Sequence, residues 1–215
     1  APAPAAGNGA TNNTVKNCII EGNASTTTFI GLHIGGNTTI ALTTGGLENN
    51  NNNTVNNNLF RKTQYGLVIF GYSASNPETG NMVTNNNVGT AVAGEGINIG
   101  GILSDRQSGL VVSGNEVQNV SGTSTTAMFG IKTLDFKSGM MFNNKVHDIS
   151  YTGTSTGIVR GIWVQSSTYT TSGNPSTASI FNNFVYKINN SSTNTTWNTT
   201  GILASQGYGD TYYYN

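Results

Sequence analysis

The chain has 215 residues, a formal net charge of zero and only 8% charged residues, far below the roughly 25% of ordinary soluble domains. With no Lys/Arg cluster beyond Arg61-Lys62, electrostatic capture of nucleic acid or of an anionic membrane is disfavoured, and no apolar run approaches the about 20 residues of a membrane span. Polarity comes instead from Asn, Thr, Ser and Gly, which suit turns and exposed strand faces.

Residues 1–11 read as a linker or the start of the ordered segment, and 12–215 as one domain belonging to a longer chain. From Val15 onward one short pattern is written six times: apolar, any, two Asn-type residues, any, apolar. Its first copy is Val15-Lys16-Asn17-Cys18-Ile19-Ile20. A second pattern follows it, Gly-apolar-any-apolar, first as Gly31-Leu32-His33-Ile34. The two return together at 55–60 with 66–69, 83–88 with 96–99, 112–117 with 130–133, 141–146 with 161–164, and 180–185 with 201–204. The first pattern thus recurs at intervals of 40, 28, 29, 29 and 39 residues.

Alternation of apolar and polar residues with period two predicts short strands, at least two per unit. The loops between them, at 72–80, 121–127, 166–176 and 189–200, absorb the uneven spacing. A period of about 20–50 residues signals a stacked or radial array, and units of about 29 residues are too short for a propeller blade of about 40–50. A coil of a parallel β-helix fits, with neighbouring coils about 4.8 Å apart. The fold expected is therefore all-β, a parallel β-helical solenoid of six coils. Neither end offers a polar or helical cap, so caps are expected from a longer polypeptide or from another chain.

The doubled Asn divides into two slots. The first is Asn17, Asn57, Asn85, Gly114, Asn143 and Asn182, and exchange of Asn for Gly marks a left-handed bend. The second is Cys18, Asn58, Asn86, Asn115, Asn144 and Asn183, predicted to stack as an amide ladder. Cys18 is expected to begin it as a small buried thiol. As the single Cys it forms no intrachain disulfide.

These two motifs, over about residues 12–215, resemble the right-handed parallel β-helix repeats of the pectate-lyase-like superfamily. The resemblance implies a fold and not an activity, since that superfamily holds lyases, hydrolases, epimerases, phage tailspikes and non-catalytic bacterial surface proteins. The nine acids include no adjacent pair and no trio like the polygalacturonase signature, which disfavours glycoside hydrolysis. A lyase needs a base beside a uronate carboxylate and a cation to neutralise it. The outward slot of the Gly pattern reads His33, Val68, Asn98, Lys132, Trp163 and Leu203, with Glu95 and Arg160 one place before the Gly. That alignment brings Glu95, Asn98, Lys132 and Arg160 to one face, with Trp163 as a sugar-stacking platform. It loosely resembles the Lys/Arg pair and the Ca²⁺-ligating Asn/Glu of alginate-lyase-type β-helices, although the flanking residues differ.

Other candidates carry less. His33 and His147 fall in distant coils, so no His pair for a metal is expected. His147-Asp148 should point to opposite strand faces. Trp197 and Tyr208, Tyr212, Tyr213 and Tyr214 could meet sugars but suit packing better. The Thr clusters at 26–28, 125–126 and 195–196 lie in unequal loops and form no ice-matching lattice, and sequons such as Asn23, Asn37 and Asn194 arise readily in this composition. The expected function is a non-catalytic β-helical rod of a secreted or cell-surface bacterial protein, an adhesin-like scaffold contacting glycans or another surface or secretion-system protein, without a cofactor. The alternative is a polysaccharide lyase acting on an acidic glycan through Lys132 and Arg160, with Ca²⁺ only in that case.

Overall fold

A computed structural model describes residues 9–35, 40, 42, 50–124, 126–154, 157–192 and 199–215. Residues 1–8 of the expected linker, together with Asn37, Glu48, Thr125, Asn194, Thr195, Thr196 and Trp197, lie outside the described residues. The described chain is all-β, with two long parallel sheets and one small hairpin.

The seven-stranded sheet takes one short strand from each repeat: Thr14–Lys16, Thr54–Asn56, Met82–Thr84, Val111–Ser113, Met140–Phe142, Ser179–Phe181 and Thr211–Tyr213. The apolar residue opening each Asn motif pairs with its counterpart, Val15 with Val55, Val55 with Val83, and onward to Ile180 with Tyr212. The last of these strands extends the pattern by one repeat beyond the six read from the sequence.

The thirteen-stranded sheet contains two rows of six strands and the short strand Glu78–Thr79, which pairs with the end of Ile97–Ser108. One row is Ile19–Glu21, Leu59–Arg61, Asn87–Val88, Glu116–Gly122, Lys145–Tyr151 and Phe184–Asn190. The other is Ile30–Ile34, Thr63–Phe70, Ile97–Ser108, Met128–Lys137, Val159–Gln165 and Thr199–Ser205. Val55, Phe60, Leu67 and their counterparts in later repeats form one buried core cluster. Each such side chain contributes about 1.5–3 kcal/mol by leaving water.

The Gly slot has a packing cause. A Cβ at Gly66, Gly101, Gly130 or Gly161 would meet a valine Cγ1 of the first row at 2.5, 2.4, 2.2 and 2.4 Å. Only a residue without a side chain lets the two rows close over the core. This slot corrects the sequence alignment of the third repeat: Gly101-Ile102-Leu103 occupies it, not Gly96-Ile97-Asn98. The strand Ile97–Ser108 is long enough to carry both, and its pairing with Thr63–Phe70 shifts register between Ile97 and Gly100.

The bend slot behaves as expected. Asn17, Asn57, Asn85, Gly114, Asn143 and Asn182 all have φ between 52° and 64°, and Tyr214 continues the series at 53°. A second left-handed column, unmarked in the sequence reading, precedes the seven-stranded sheet: Asn12, Asn52, Gly80, Gly109, Ser138, Thr177 and Gly209.

The ladder slot is buried, with Asn58, Asn86, Asn115, Asn144 and Asn183 at most 4% exposed. From Asn86 onward each Oδ1 accepts two hydrogen bonds from the preceding repeat. Asn86, for example, donates from its backbone N at 3.0 Å and from Nδ2 at 2.9 Å to Asn115 Oδ1. Each Nδ2 also donates to a strand carbonyl, as Asn115 does to Val83 at 2.9 Å. Asn215 adds a further rung, accepting from Asn183 at 3.0 and 2.9 Å. At the other end Cys18 departs from expectation. Its thiol is exposed and donates to the Lys16 carbonyl, and it joins the ladder only through its backbone N, donating to Asn58 Oδ1 at 3.0 Å.

Two shorter ladders line the entry to the seven-stranded sheet. Asn13 donates from N and Nδ2 to Asn53 Oδ1, and Asn53 from N to Asn81 Oδ1. Beside them Ala10 donates to Asn50, and Asn50 to Glu78.

Replacing Asn115 with Ala strands two N–H groups of Asn86 and the Val83 carbonyl in a dry interior. At about 1–3 kcal/mol for each orphaned group, Asn115→Ala should lose about 3–5 kcal/mol in urea denaturation. A loss below about 1 kcal/mol would show that water or a neighbour replaces the rung.

Candidate functional site

Side chains of the second row alternate between the core and an outer face. In register on that outer face lie His33, Val68, Leu103, Lys132, Trp163 and Leu203, and, across the Gly slot that interrupts the alternation, three positions earlier Ile30, Tyr65, Gly100, Phe129, Arg160 and Thr200. In the second and third repeats this face is apolar, and Tyr65, Val68, Phe70, Leu103 and Phe129 form a cluster of their own. In the fourth and fifth it becomes cationic and aromatic.

There Lys132 Nζ sits 3.7 Å from the centroid of the Trp163 ring, with Phe129 at 5.9 Å. The Arg160 guanidinium lies 5.8 Å from the same Trp163 ring. Trp163 is fixed by its indole N–H, which donates to Ser205 Oγ at 3.1 Å. Arg160 donates from Nη1 to the Val159 carbonyl at 3.3 Å, whereas its Nε is buried with no hydrogen-bond partner. Burial lowers the pKa of both cations, and for Lys132 the charge of Asp105 opposes the shift.

Beyond Lys132 the outer face runs into two buried carboxylates on consecutive bends. Asp105 is pushed up to about 6, chiefly by burial, with the adjacent Arg106 at 2.7 Å pulling it down and Asp135 pushing it up. Asp135 sits at a left-handed position, φ 44°, and accepts from Ser167 Oγ, from Thr168 N at 2.8 Å and from Thr168 Oγ1 at 2.8 Å. The segment that supplies these donors continues into Tyr169. Its ring is buried, its hydroxyl donates to the Ala74 carbonyl at 2.7 Å, and its pKa is pushed up to about 12 by burial and then by the two Asp charges.

The structure therefore brings together Lys132, Arg160 and Trp163 of the residues singled out in the sequence. It does not bring Glu95 or Asn98 to them. Leu103 occupies the place assigned to Asn98, and Gly100 the place assigned to Glu95. The Glu95 carboxylate instead bonds Arg61 at 2.8 Å and Thr90 Oγ1 at 3.1 Å. Phe129, Asp105 and Asp135 were missed; the second Gly-apolar pair at 101–102 is the signal that finds their register.

A separate constellation lies outside the first row. His147 Nδ1 is 2.6 Å from Asp148 Oδ2, and His147 Nε2 is 3.0 Å from Glu116 Oε1. This overturns the expectation that His147 and Asp148 point apart. Asp148 has φ 53°, and a left-handed residue breaks the alternation of the strand. The His147 ring stacks on Tyr186 at 4.6 Å, and Lys145 and Lys187 flank the carboxylates at 2.6 and 3.5 Å. With a carboxylate on each ring nitrogen, the imidazole offers no free nitrogen to a metal. Among the described residues no group of three His, Cys, Asp or Glu side chains is arranged to hold one.

Comparison with protein-family models, with curated proteins and with solved structures gave no match to this chain. Among the described residues no helix is long and apolar enough to cross a membrane.

The His147 constellation ties three successive strands across a half-exposed surface. His147→Phe, which keeps the stack on Tyr186, should lose about 1 kcal/mol in urea at low salt and less in 1 M salt. An equal loss at both salt concentrations would assign the effect to packing instead.

Proposed function

We propose that the paired rows wind as a right-handed parallel β-helix of the pectate-lyase-like type. In this reading the chain is a non-catalytic scaffold within a secreted or cell-surface protein, displaying its unequal loops and holding an acidic glycan on the face of Lys132, Arg160 and Trp163. The observation that carries the reading is the state of the two cations. Arg160 has a buried Nε without a partner, and among the described residues neither Arg160 nor Lys132 forms a salt bridge, although both lie against one Trp ring. A buried donor on a cation is costly until an acceptor reaches it, and a carboxylate-bearing sugar supplies both the acceptor and an apolar ring face for aromatic contact. Secretion rests on the charge-poor, Asn- and Thr-rich composition.

One observation favours the lyase reading as the second. Burial lowers the Lys132 amine, raising the fraction of free base near neutrality, and Arg160 is placed to offset a uronate carboxylate. Ca²⁺ does not fit that reading, because the Glu95 carboxylate is already held by Arg61 and Thr90 and Leu103 stands where Asn98 was expected.

Calorimetric titration with uronate oligosaccharides and their neutral counterparts separates these readings. Binding of the acidic series alone, weakened about 10–100-fold in Arg160→Ala, supports the scaffold reading. Release of ultraviolet-absorbing unsaturated ends, lost in Lys132→Ala, moves the protein to the lyase class. Equal indifference to both series overturns the glycan reading.

A further inference from the structure

The ring of His147 is gripped at both nitrogens by carboxylates from two different repeats. Asp148 Oδ2 lies 2.6 Å from Nδ1, and Glu116 Oε1 lies 3.0 Å from Nε2. Asp148 follows His147 in the strand Lys145–Tyr151, whereas Glu116 opens the strand Glu116–Gly122 of the repeat before. The next strand, Phe184–Asn190, covers the face of the ring, with Tyr186 stacked at 4.6 Å and the two planes 9° apart. His147 is only 6% exposed, so water is a poor substitute for either partner.

A neutral imidazole has one N–H and one lone pair. Whichever nitrogen carries the hydrogen, the other sets its lone pair against a carboxylate oxygen at hydrogen-bond distance, acceptor against acceptor. Only the imidazolium makes both contacts attractive. Their lengths, 2.6 and 3.0 Å, bracket the about 2.7–2.9 Å usual for charge-assisted N–H···O bonds. A proton on either carboxyl would also remove the conflict, but the surroundings oppose it. Lys145 and then His147 hold Glu116 below its ordinary value of 4.5, and His147 and then Lys187 hold Asp148 below its ordinary 3.8.

The titratable groups around the ring are therefore Glu116 from the fourth repeat, Lys145 and Asp148 from its own strand, and Tyr186 and Lys187 from the sixth repeat. Each lysine sits on a carboxylate, at 2.6 Å for Lys145 on Glu116 and 3.5 Å for Lys187 on Asp148. We propose that His147 is a proton-operated clamp: charged, it ties the Glu116 strand to the left-handed bend at Asp148. Neutral, it keeps one of its two bonds and lets the other carboxylate go. The Tyr186 ring supports the charged form, because its face attracts a cation. The inference is independent of any glycan binding.

The test is long-range ¹H–¹⁵N correlation of the imidazoles in the whole chain at about pH 7.5, where a free imidazole, with its ordinary value of about 6.5, is about nine-tenths neutral. The chain has two His, and His147→Gln tells their rings apart. The clamp requires both His147 nitrogens to resonate as protonated. Exchanging one carboxylate for an amide supplies an N–H that can meet a lone pair, so the ring should turn neutral in a direction set by the exchange. Glu116→Gln should leave the hydrogen on Nδ1, towards Asp148, and Asp148→Asn should leave it on Nε2, towards Glu116. An unprotonated nitrogen in the unmodified chain overturns the proposal. So does a ring that stays doubly protonated, or adopts one and the same tautomer, in both variants. The first readout comes from the unmodified chain, so it decides even if a variant folds poorly.

Discussion

The doubled acceptance at the ladder Asn residues from Asn86 to Asn215 governs this fold. One Oδ1 takes two N–H groups from the preceding repeat while the same side chain's Nδ2 reaches a strand carbonyl, so every bend is satisfied only when the neighbouring repeat is in register. In a dry interior an orphaned amide costs about as much as several surface contacts contribute, so the register is held tightly. Variation in length is displaced elsewhere. Ladder residues are separated by 40, 28, 29, 29, 39 and 32 positions, yet the short strands beside them pair without a shift. Part of the extra length of the 39-residue interval is the 166–176 segment, whose Thr168 bonds Asp135 at the end of the outer face.

Left-handed backbone is the second recurring device, and it explains where polar side chains meet. On a plain strand, neighbours in sequence face opposite ways. At Asp148 and Asp135 a positive φ interrupts that alternation. The Asp148 carboxylate can then reach its neighbour His147, and the Asp135 carboxylate can collect three donors from Ser167 and Thr168. Such conformations cost about 1 kcal/mol or more in a residue other than Gly. Their polar side chains recover part of that cost through hydrogen bonds to the ordered neighbours.

This separates what the sequence revealed from what it hid. The Asn bend, the amide ladder and the parallel pairing were readable because each repeats a residue type at a near-constant interval, and stacking turns interval into position. The third repeat was misread because Gly96-Ile97-Asn98-Ile99 satisfies the pattern in full, whereas Gly101-Ile102-Leu103-Ser104 ends on a hydroxyl residue, as Gly130-Ile131-Lys132-Thr133 does, and it is the contact with Val117 and the strand register that pick it. Glu95 and Asn98 left the candidate site with that shift. Cys18 was misjudged for a different reason: a ladder needs only a backbone N–H at its first rung, so the side chain there is free to face solvent. The His147 contacts were hidden because a left-handed Asp carries no sequence mark of the kind that Gly provides.

Scarcity of charge gives the outer face its meaning. Of the nine Lys and Arg residues, Arg61, Lys62, Arg106, Lys145 and Lys187 sit against carboxylates, as expected where each charge must be balanced on a weakly charged surface. Lys16, Lys132, Lys137 and Arg160 form no such pair among the described residues, and of these Lys132 and Arg160 occupy adjacent repeats on one aromatic ring. Cation–π attraction of about 0.5–2 kcal/mol offsets part of the desolvation, but it leaves the buried Arg160 Nε without an acceptor. A scaffold selected only for stacking would place a Thr or Leu at these two positions, as the sixth repeat does with Thr200 and Leu203. Two partly buried cations stand there instead, and the buried Arg160 Nε that no protein group accepts is the observation on which the proposed acidic-glycan reading rests.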